Sequence, residues 1–342
     1  MSDVIDTKDK HWTTFIEHHR DSTIFHHPFW STLLEECYGY KSFVIVLRNN
    51  EGEIIAGLPV MEIDSWLTGK RWVSLPFSDH CGPLLQNPDD IEKFTRKLIT
   101  KSNENENLKF EIRHEIPFLE SDINDKTFYI HSLELKKDPD ELFKRFRKKG
   151  VQYCIKKASR SGIVISKDKD LESLMTFFDL HLMTRKKLGV PTQPKKYFIK
   201  LWEYIIKQEL GFTAIAYYEG EPVAGGVFLH YNKKLTYKYG ATAPGSMHLY
   251  ANHALLWDVI QWGCRNGFEL FDWGRTDKDN EGLRQFKLGW GSDEKELKYS
   301  QVGKNSNDYS KGWKQNIIKN IVGHSPSCVG RVLGELLYKH IG

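Results

Sequence analysis

The sequence predicts a mixed α/β protein in which one structural unit occurs twice. Residues 51–57 and 219–225 are identical at five of seven positions, and each lies between two apolar, β-rich runs. A polar, glycine-containing turn between two such runs is typical of a β-hairpin. Apolar residues at helical spacing surround both hairpins. Because the matching strands have similar places in the two halves, duplication explains the pattern better than chance similarity of two turns. We therefore expect mixed sheets flanked by helices.

In the first half, the hairpin lies between two predicted helices. His27-Pro28 marks the start of one helix, and Asn87-Pro88 opens the other, since proline is tolerated in the first turn and Asn caps it. The elements predicted here are a helix over 29–38, strands over 42–47 and 58–63, a helix over 89–101, and strands over 108–113 and 128–135.

In the second half, two helices precede the hairpin, and a strand, a helix and a strand follow it. Gly267 ends the last helix. The predicted elements are helices over 171–188 and 195–210, hairpin strands over 212–218 and 226–231, a strand over 235–241, a helix over 249–266 and a strand over 268–272. A helical connector over 138–160 joins the halves. The expected domains are 1–140 and 141–302, with a cleft between them, and the tail 303–342 could pack on the first.

The composition argues against several classes of protein. The net charge of +4 over 342 residues is too small for a dedicated nucleic-acid binder, although local basic faces remain possible. The five cysteines are scattered without a C-x-x-C pair, as expected of reduced thiols rather than disulfides or a zinc site. The polar N-terminus does not resemble a signal peptide. No apolar run approaches the length of about 18 residues that a membrane-spanning helix needs. These features predict a cytoplasmic protein.

The stretch 271–291 is the strongest candidate for a functional site. Aromatic, cationic and glycine residues alternate densely there, and Arg275, Arg284 and Lys287 offer positive charge to an anionic ligand or an oxyanion. We interpret it as a loop that leaves a strand, because ligand sites concentrate in such loops. The alternative is a charged surface loop with glycine turns.

Three motifs in this stretch resemble the closing motif of the Fem-like transferases. They are Phe271-Asp-Trp-Gly-Arg275, Gly282-Leu-Arg284, and Phe286-Lys287 with Gly289-Trp-Gly291. The Fem-like proteins are relatives of the GNAT acyltransferases and are built from two GNAT-like domains. Stretches 74–83, 181–191 and 251–255 agree with the resemblance, which runs from about Phe25 to Tyr299. It implies a tandem GNAT-like fold.

The resemblance implies an acyl- or aminoacyltransferase that acts on an amine of a cell-envelope precursor. In the best-known members, the donor is aminoacyl-tRNA and the acceptor is the stem-peptide amine of a peptidoglycan precursor. Other branches accompany polysaccharide gene clusters and are commonly called acetyltransferases, so an amino-sugar acceptor is also open. The alternative from another class is a non-catalytic protein that keeps the fold and binds tRNA or an envelope precursor.

The resemblance also assigns roles to two residues. The lysine of the Phe-Lys pair is important for catalysis in the Fem enzymes, which carries over to Lys287 as a stabiliser of negative charge, with Phe286 shaping the pocket. From chemistry alone, aminolysis of an activated ester needs neither a metal nor a covalent nucleophile. Asp272 is our preferred group for accepting a proton or holding the amine. Asp277 is the other candidate, and either could simply order the loop.

The donor remains open between aminoacyl-tRNA and acyl-CoA, and no tightly bound cofactor is expected. Acetyl-CoA-binding GNAT domains hold the pyrophosphate on an (R/Q)-x-x-G-x-(G/A) loop. The nearest match, 147–152, has the wrong final residue, and 285–291 has its glycines one residue too far away. Acetyl-CoA bound in that way is therefore disfavoured.

A basic run between 142 and 167 contains nine Lys or Arg residues and no acid. It is a solvated face or a surface for the phosphates of tRNA or of a diphosphate-linked acceptor. Arg147 and Lys148 are the candidates within it, and Arg185 and Lys186 would add to them if the regions meet. The tail 310–342 predicts a basic amphipathic helix, either docked on the first domain, which we favour, or lying at the inner face of an anionic membrane.

Overall fold

The computed structural model describes residues 2–66, 69–104, 108–117, 119–121, 127–302 and 338–340. The chain divides into two compact units. Of the described residues, the first unit contains 2–129 together with 296–302 and 338–340, and the second contains 130–295. The tail prediction for 310–337 lies outside the described residues.

In the first unit, two helices precede a long hairpin, and the sequence predicted the second of them. Its helices are α1 (Lys10–His18), α2 (Pro28–Tyr38) and α3 (Ile91–Asn103). Its strands before residue 128 are β1 (Val4–Ile5), β2 (Lys41–Arg48), β3 (Ile54–Ile63), β4 (Arg71–Val73), β5 (Leu84–Leu85), β6 (Lys109–Ile112) and β7 (Glu120–Ser121).

The second unit contains most of the helices. They are α4 (Pro139–Arg145), α5 (Tyr153–Ala158), α6 (Leu171–Lys187), α7 (Lys195–Leu201), α8 (Ala251–Arg265) and α9 (Glu281–Leu288). Its strands are β8 (Phe128–Glu134), which starts at the boundary, β9 (Val164–Asp168), β10 (Gly211–Tyr218), β11 (Glu221–Tyr231), β12 (Lys234–Thr242), β13 (Leu270–Asp277) and β14 (Asp293–Leu297). The chain then adds β15 (Ser300–Val302) to the first unit.

Each unit has its own mixed sheet, so the predicted fold class is confirmed. The strand order is β1-β2-β3-β4-β6-β15-β7 in the first sheet, with β5 beside β3, and β14-β8-β13-β12-β11-β10-β9 in the second. Both predicted hairpins form, as β2–β3 and β10–β11. In each sheet the strand after the hairpin pairs in parallel with the next long strand, β4 with β6 and β12 with β13.

The predicted connector is helical and packs as part of the second unit. Leu142, Phe146, Val151 and Ile155 belong to its hydrophobic core. Burying these side chains removes apolar surface from water, while the lysines and arginines between them stay exposed. The connector is therefore an amphipathic part of a folded domain.

The last described residues lie against the first unit. The hydroxyl of Tyr40 donates to the carbonyl of Lys339 at 2.9 Å, and Arg71 donates to the carbonyl of His340 at 3.1 Å. The Ser65 hydroxyl lies 2.8 Å from Nδ1 of His340. Polar contacts thus attach 338–340 to β4 and to the segments that flank the first hairpin.

Candidate active site

The predicted loop over 271–291 is largely regular structure, so its assignment as a loop was wrong. Strand β13 continues to Asp277, and α9 begins after Asn280, whose side chain accepts a hydrogen bond from the Leu283 amide at 3.2 Å. Such an N-cap satisfies an amide that the helix itself leaves unpaired. The helix then turns Lys287 towards the interior, and leaves Glu281 and Gly282 exposed.

The Lys287 ammonium is buried at the end of β13. Only 4% of this residue is exposed. Its Nζ donates to the carbonyl of Gly274 at 3.0 Å and to that of Arg275 at 3.3 Å. A buried charge is costly unless it is hydrogen-bonded, and the two carbonyls provide such bonds. A cation fixed in this way can stabilise negative charge that develops on a reacting oxygen.

Asp272 is 7% exposed, and its Oδ1 accepts a hydrogen bond from the Gly274 amide at 2.8 Å. Gly274 has a φ of +67°, a conformation that suits glycine. The carboxylate therefore orders the backbone that carries one carbonyl of the Lys287 site. Asp277, the other candidate, is exposed.

An aromatic cluster lies beside Lys287. Phe286 is half-buried, with its ring centroid 5.5 Å from that of His253 and 6.2 Å from that of Trp273. Trp290 is fully buried and stacks on His253 at 5.9 Å. Burial lowers the pKa of His253 to about 4, so its imidazole is neutral near pH 7. The rings give this part of the domain a rigid, apolar wall.

Arg284 forms an ion pair that the sequence did not predict. Its Nε and Nη2 donate to the two carboxylate oxygens of Glu294 at 2.9 and 2.7 Å. The hydrogen bonds from Arg284 hold the pKa of Glu294 below its usual value. Glu294 also contacts Nε2 of the fully buried His131 at 2.8 Å. Sequence reasoning missed His131 and Glu294 because they lie 163 positions apart and neither belongs to a motif.

The structure brings Arg147 to α9. Its Nη2 donates to Oε1 of Gln285 at 3.1 Å, and its amide donates to the Gly289 carbonyl at 2.8 Å. Arg147 and Lys148 are both exposed. The basic connector therefore lies next to the helix that carries Lys287.

The remaining predicted cations have other surroundings. Arg275 is half-buried on β13. Arg185 lies on α6, where its Nε and Nη2 donate to the Pro191 carbonyl at 3.1 and 2.9 Å. Lys186, its neighbour, is exposed. The described contacts thus attach Arg185 to the turn after α6 rather than to α9.

The two segments compared with a pyrophosphate loop use their backbone amides internally. The amides of Gly150 and Gln152 both donate to the Arg147 carbonyl. Those of Gly289, Trp290 and Gly291 donate to carbonyls of α9. A phosphate cradle requires amides that point at the ligand, and these five amides are instead bonded within their own segments.

Two further properties concern metals and membranes. Within the described ranges, no group of three or more His, Cys, Asp or Glu residues is arranged to hold a metal ion. In the same part of the chain, no helix has the length and apolar character needed to cross a bilayer.

Comparison with known proteins identifies the second unit. A family described as "Acetyltransferase (GNAT) domain" matches residues 144–294. The second unit is therefore similar to a GNAT domain. The match covers α4 to β14 and includes Lys287, Asp272 and the basic connector. This match supports the prediction of an acyltransferase.

One curated relative matches this chain in sequence. It is UDP-N-acetylmuramoylpentapeptide-lysine N(6)-alanyltransferase from Weissella viridescens, 24% identical over 135 residues. The match spans 39% of this chain and 40% of that protein. The similarity to this Fem-type enzyme, together with the GNAT match, confirms the predicted resemblance to Fem-like members of the GNAT superfamily.

Solved structures extend the likeness to both units. The crystal structure of FemX matches with a TM-score of 0.68 at 14% identity, and covers 87% of this chain and 97% of that one. A tandem GNAT protein from the clavulanic acid biosynthesis pathway matches with a TM-score of 0.51 at 10% identity, over 89% of this chain and 99% of that one. The chain therefore has a tandem GNAT fold.

Proposed function

We propose that this protein is an acyl- or aminoacyltransferase that moves an activated acyl group to an amine of a cell-envelope precursor. The acceptor is a peptidoglycan peptide or an amino sugar. The observation that carries the proposal is the buried Lys287 ammonium, fixed by the carbonyls of Gly274 and Arg275. The similarity to an alanyltransferase named for the lysine N(6) of a UDP-N-acetylmuramoylpentapeptide supports the acceptor class.

In the proposed reaction, the acceptor amine attacks the carbonyl carbon of the activated ester or thioester. Negative charge then develops on the carbonyl oxygen, and Lys287 stabilises it. The bond to the donor's oxygen or sulfur breaks, and the amine loses a proton. Asp272 holds the acceptor amine or accepts that proton. Phe286 forms a wall of the acyl site, and Arg275 contacts an anionic part of a substrate.

Aminoacyl-tRNA is the donor that the charge distribution favours. Arg147 and Lys148 are exposed on the connector beside α9, where they could bind phosphates of a nucleic acid. Arg185 and Lys186 extend the positive charge of the same domain. The internally bonded amides of 147–152 and 285–291 give acyl-CoA less support as the donor. We place the reaction in the cytoplasm, at the inner face of the membrane if the basic tail 310–342 contacts lipid.

Transfer assays with matched lysine variants test the proposal. Purified protein is given charged tRNAs or acyl-CoAs, with peptidoglycan-precursor or amino-sugar acceptors. Lys287→Ala is expected to lower kcat by about 10²–10³-fold, as does removal of one oxyanion-stabilising group elsewhere. Lys207→Ala, which removes an exposed lysine stacked on Trp202, serves as the control and should leave kcat unchanged.

Full activity of folded Lys287→Ala would overturn its catalytic assignment. Ligand binding by the unaltered protein, without turnover of any donor, would instead identify a non-catalytic binding protein. Circular dichroism of both variants establishes that the comparison is made between folded proteins.

A further inference from the structure

Three side chains form a continuous hydrogen-bonded network that begins on α9, three residues before Lys287. Arg284 on α9 donates hydrogen bonds to both carboxylate oxygens of Glu294 on β14. Oε2 of Glu294 lies 2.8 Å from Nε2 of His131 on β8. His131 is fully buried, and the side chains of Glu294 and Arg284 are 17% and 25% exposed. A bidentate Arg–carboxylate pair fixes both the distance and the direction between the two groups. The network of Arg284, Glu294 and His131 therefore has a well-defined geometry.

This hydrogen-bonded network fixes one neutral tautomer of His131. A carboxylate only accepts hydrogen bonds, so Nε2 of His131 must carry the proton and donate it to Glu294. Nδ1 is buried and has no hydrogen-bond partner in the described part of the chain. Protonation of Nδ1 would therefore bury both an additional charge and an N–H without an acceptor. Both consequences carry a free-energy cost.

Lys287 acts on the same imidazole. Burial is the largest influence that lowers the pKa of His131, the positive charge of Lys287 is the next, and Arg284 adds a smaller one in the same direction. Glu294 opposes them. In the described residues, the charged groups that act on His131 are thus one carboxylate from β14 and two cations from α9. The charges of Arg284 and Glu294 cancel. The three-residue network therefore has no net charge while His131 is neutral.

We propose that Arg284 and Glu294 are positioning residues: Glu294 orients the imidazole of His131, and Arg284 offsets the carboxylate, so that this imidazole stays neutral and no second cation arises near the Lys287 ammonium. The proposal rests on the proposed function, in which Lys287 meets negative charge in the transition state. A protonated His131 would repel that ammonium and favour its neutral form. Arg284 then acts through Glu294 rather than by touching substrate.

Histidine titration in charge-matched variants tests the network without any substrate. The protein is labelled with ¹³Cε1-histidine, and the His131 signal is assigned by its loss in His131→Gln. Arg284→Gln removes a positive charge and is expected to raise the pKa of His131 by about one pH unit. Glu294→Gln is expected to lower it, so that His131 does not titrate before the protein unfolds in acid. In the double variant, the pKa of His131 should lie below that of the parent, because Glu294 influences it more strongly than Arg284 does.

Two controls separate charge from structure. Arg284→Lys keeps the charge and is expected to leave the His131 titration close to that of the parent. Arg96→Gln breaks an exposed Arg–Glu pair on α3 and should leave it unchanged. An unchanged His131 titration in folded Arg284→Gln, or shifts in the same direction in both single variants, would overturn the network. Absence of transferase activity would leave this measurement intact.

Activity then supplies a second readout. In the active enzyme, we expect the acid limb of kcat for Arg284→Gln to move to higher pH by the same amount as the His131 titration. A purely structural role would reduce kcat equally at every pH, and this outcome would also overturn the proposal.

Discussion

The two units share a topology but differ where the parallel strand ends. In the second unit β13 leads into α9, which carries Lys287 back to the carbonyls of Gly274 and Arg275. In the first unit, β6 ends at Ile112, and its free edge is taken by β15. The candidate chemistry therefore lies in the copy whose parallel strand leads into a helix, whereas the described residues between β6 and β7 form no helix.

The segments before α3 and α8 differ in a similar way. Segment 74–83 follows β4 and contains two buried or half-buried residues with positive φ, Leu75 and Phe77. Ser74 donates to the Cys81 carbonyl at 2.8 Å and accepts from the Arg113 amide at 2.7 Å. Segment 243–250 follows β12 and leaves Met247 69% exposed. Both segments form hydrogen bonds within their own unit, but the second also presents an apolar side chain to solvent.

The largest expected difference between the two units is in their stability at acid pH. Burial lowers the pKa of His181, His230 and His253 in the second unit to about 4, against an ordinary value of 6.5. In the first unit, burial lowers the pKa of His27 to about 4 and also lowers that of His114. The unfolded state binds more protons between these values, so this stabilisation is complete above pH 6.5 and is lost as the pH falls towards 4.

For His181 alone, the loss approaches about 3 kcal/mol. Hydrogen exchange, corrected for the intrinsic rates at each pH, should show peptides of 130–295 losing protection before those of 2–129. His181→Gln should weaken this pH dependence. Earlier loss of protection in the first unit would contradict the comparison.

The duplicated hairpins offer a matched pair of glycines. A Cβ at Gly57 would lie 2.5 Å from the Trp12 ring, a fully buried side chain that cannot easily yield. A Cβ at Gly225 would lie 3.0 Å from the Ile215 side chain and 3.1 Å from that of Phe177. Gly57→Ala is therefore expected to reduce the free energy of unfolding by about 1–3 kcal/mol, and Gly225→Ala by less.

Urea unfolding of the two variants measures this difference. Equal losses, or a larger loss for Gly225→Ala, would show that the two hairpins are packed with equal freedom, contrary to their different neighbours.

The smallest expected effect concerns the basic connector. If its exposed cations bind tRNA phosphates, Lys148→Ala should weaken tRNA binding only a few-fold and reduce the slope of log K against log salt by about 0.7–0.9. Lys93→Ala, an exposed lysine of α3 in the first unit, should leave the slope unchanged. Binding titrations between 50 and 200 mM salt, the usual working range for such measurements, distinguish these outcomes. An equal slope for Lys148→Ala would remove this residue from the proposed surface.

Local patterns in the sequence predicted the fold well. Apolar, β-rich runs and the Glu-Gly turns between them located both hairpins, which form as β2–β3 and β10–β11. The start of α8 was placed two residues early, because Tyr250 adopts a φ of +54° and interrupts the helical backbone. Helix ends depend on such single conformations, which spacing alone does not encode.

The site was harder to predict because its contacts are distant in sequence. The motif identified Lys287, but the same glycines and charges led to a loop where α9 forms. From its charge alone, Arg284 was predicted to bind an anionic ligand. In the structure, its guanidinium forms an ion pair with Glu294. His131 gave no signal at all, since a single histidine in an apolar strand becomes meaningful only when the sheet brings Glu294 beside it.

The position of β15 has a consequence for synthesis on the ribosome. The first sheet receives its strand Ser300–Val302 between β6 and β7 only after the whole of 130–295 has been translated. Folding usually proceeds from the N-terminus during synthesis. Here the first domain keeps an unpaired edge on β6 until β15 has been translated. The domain encoded second is complete first, and the nascent first domain exposes a strand edge that a chaperone could protect.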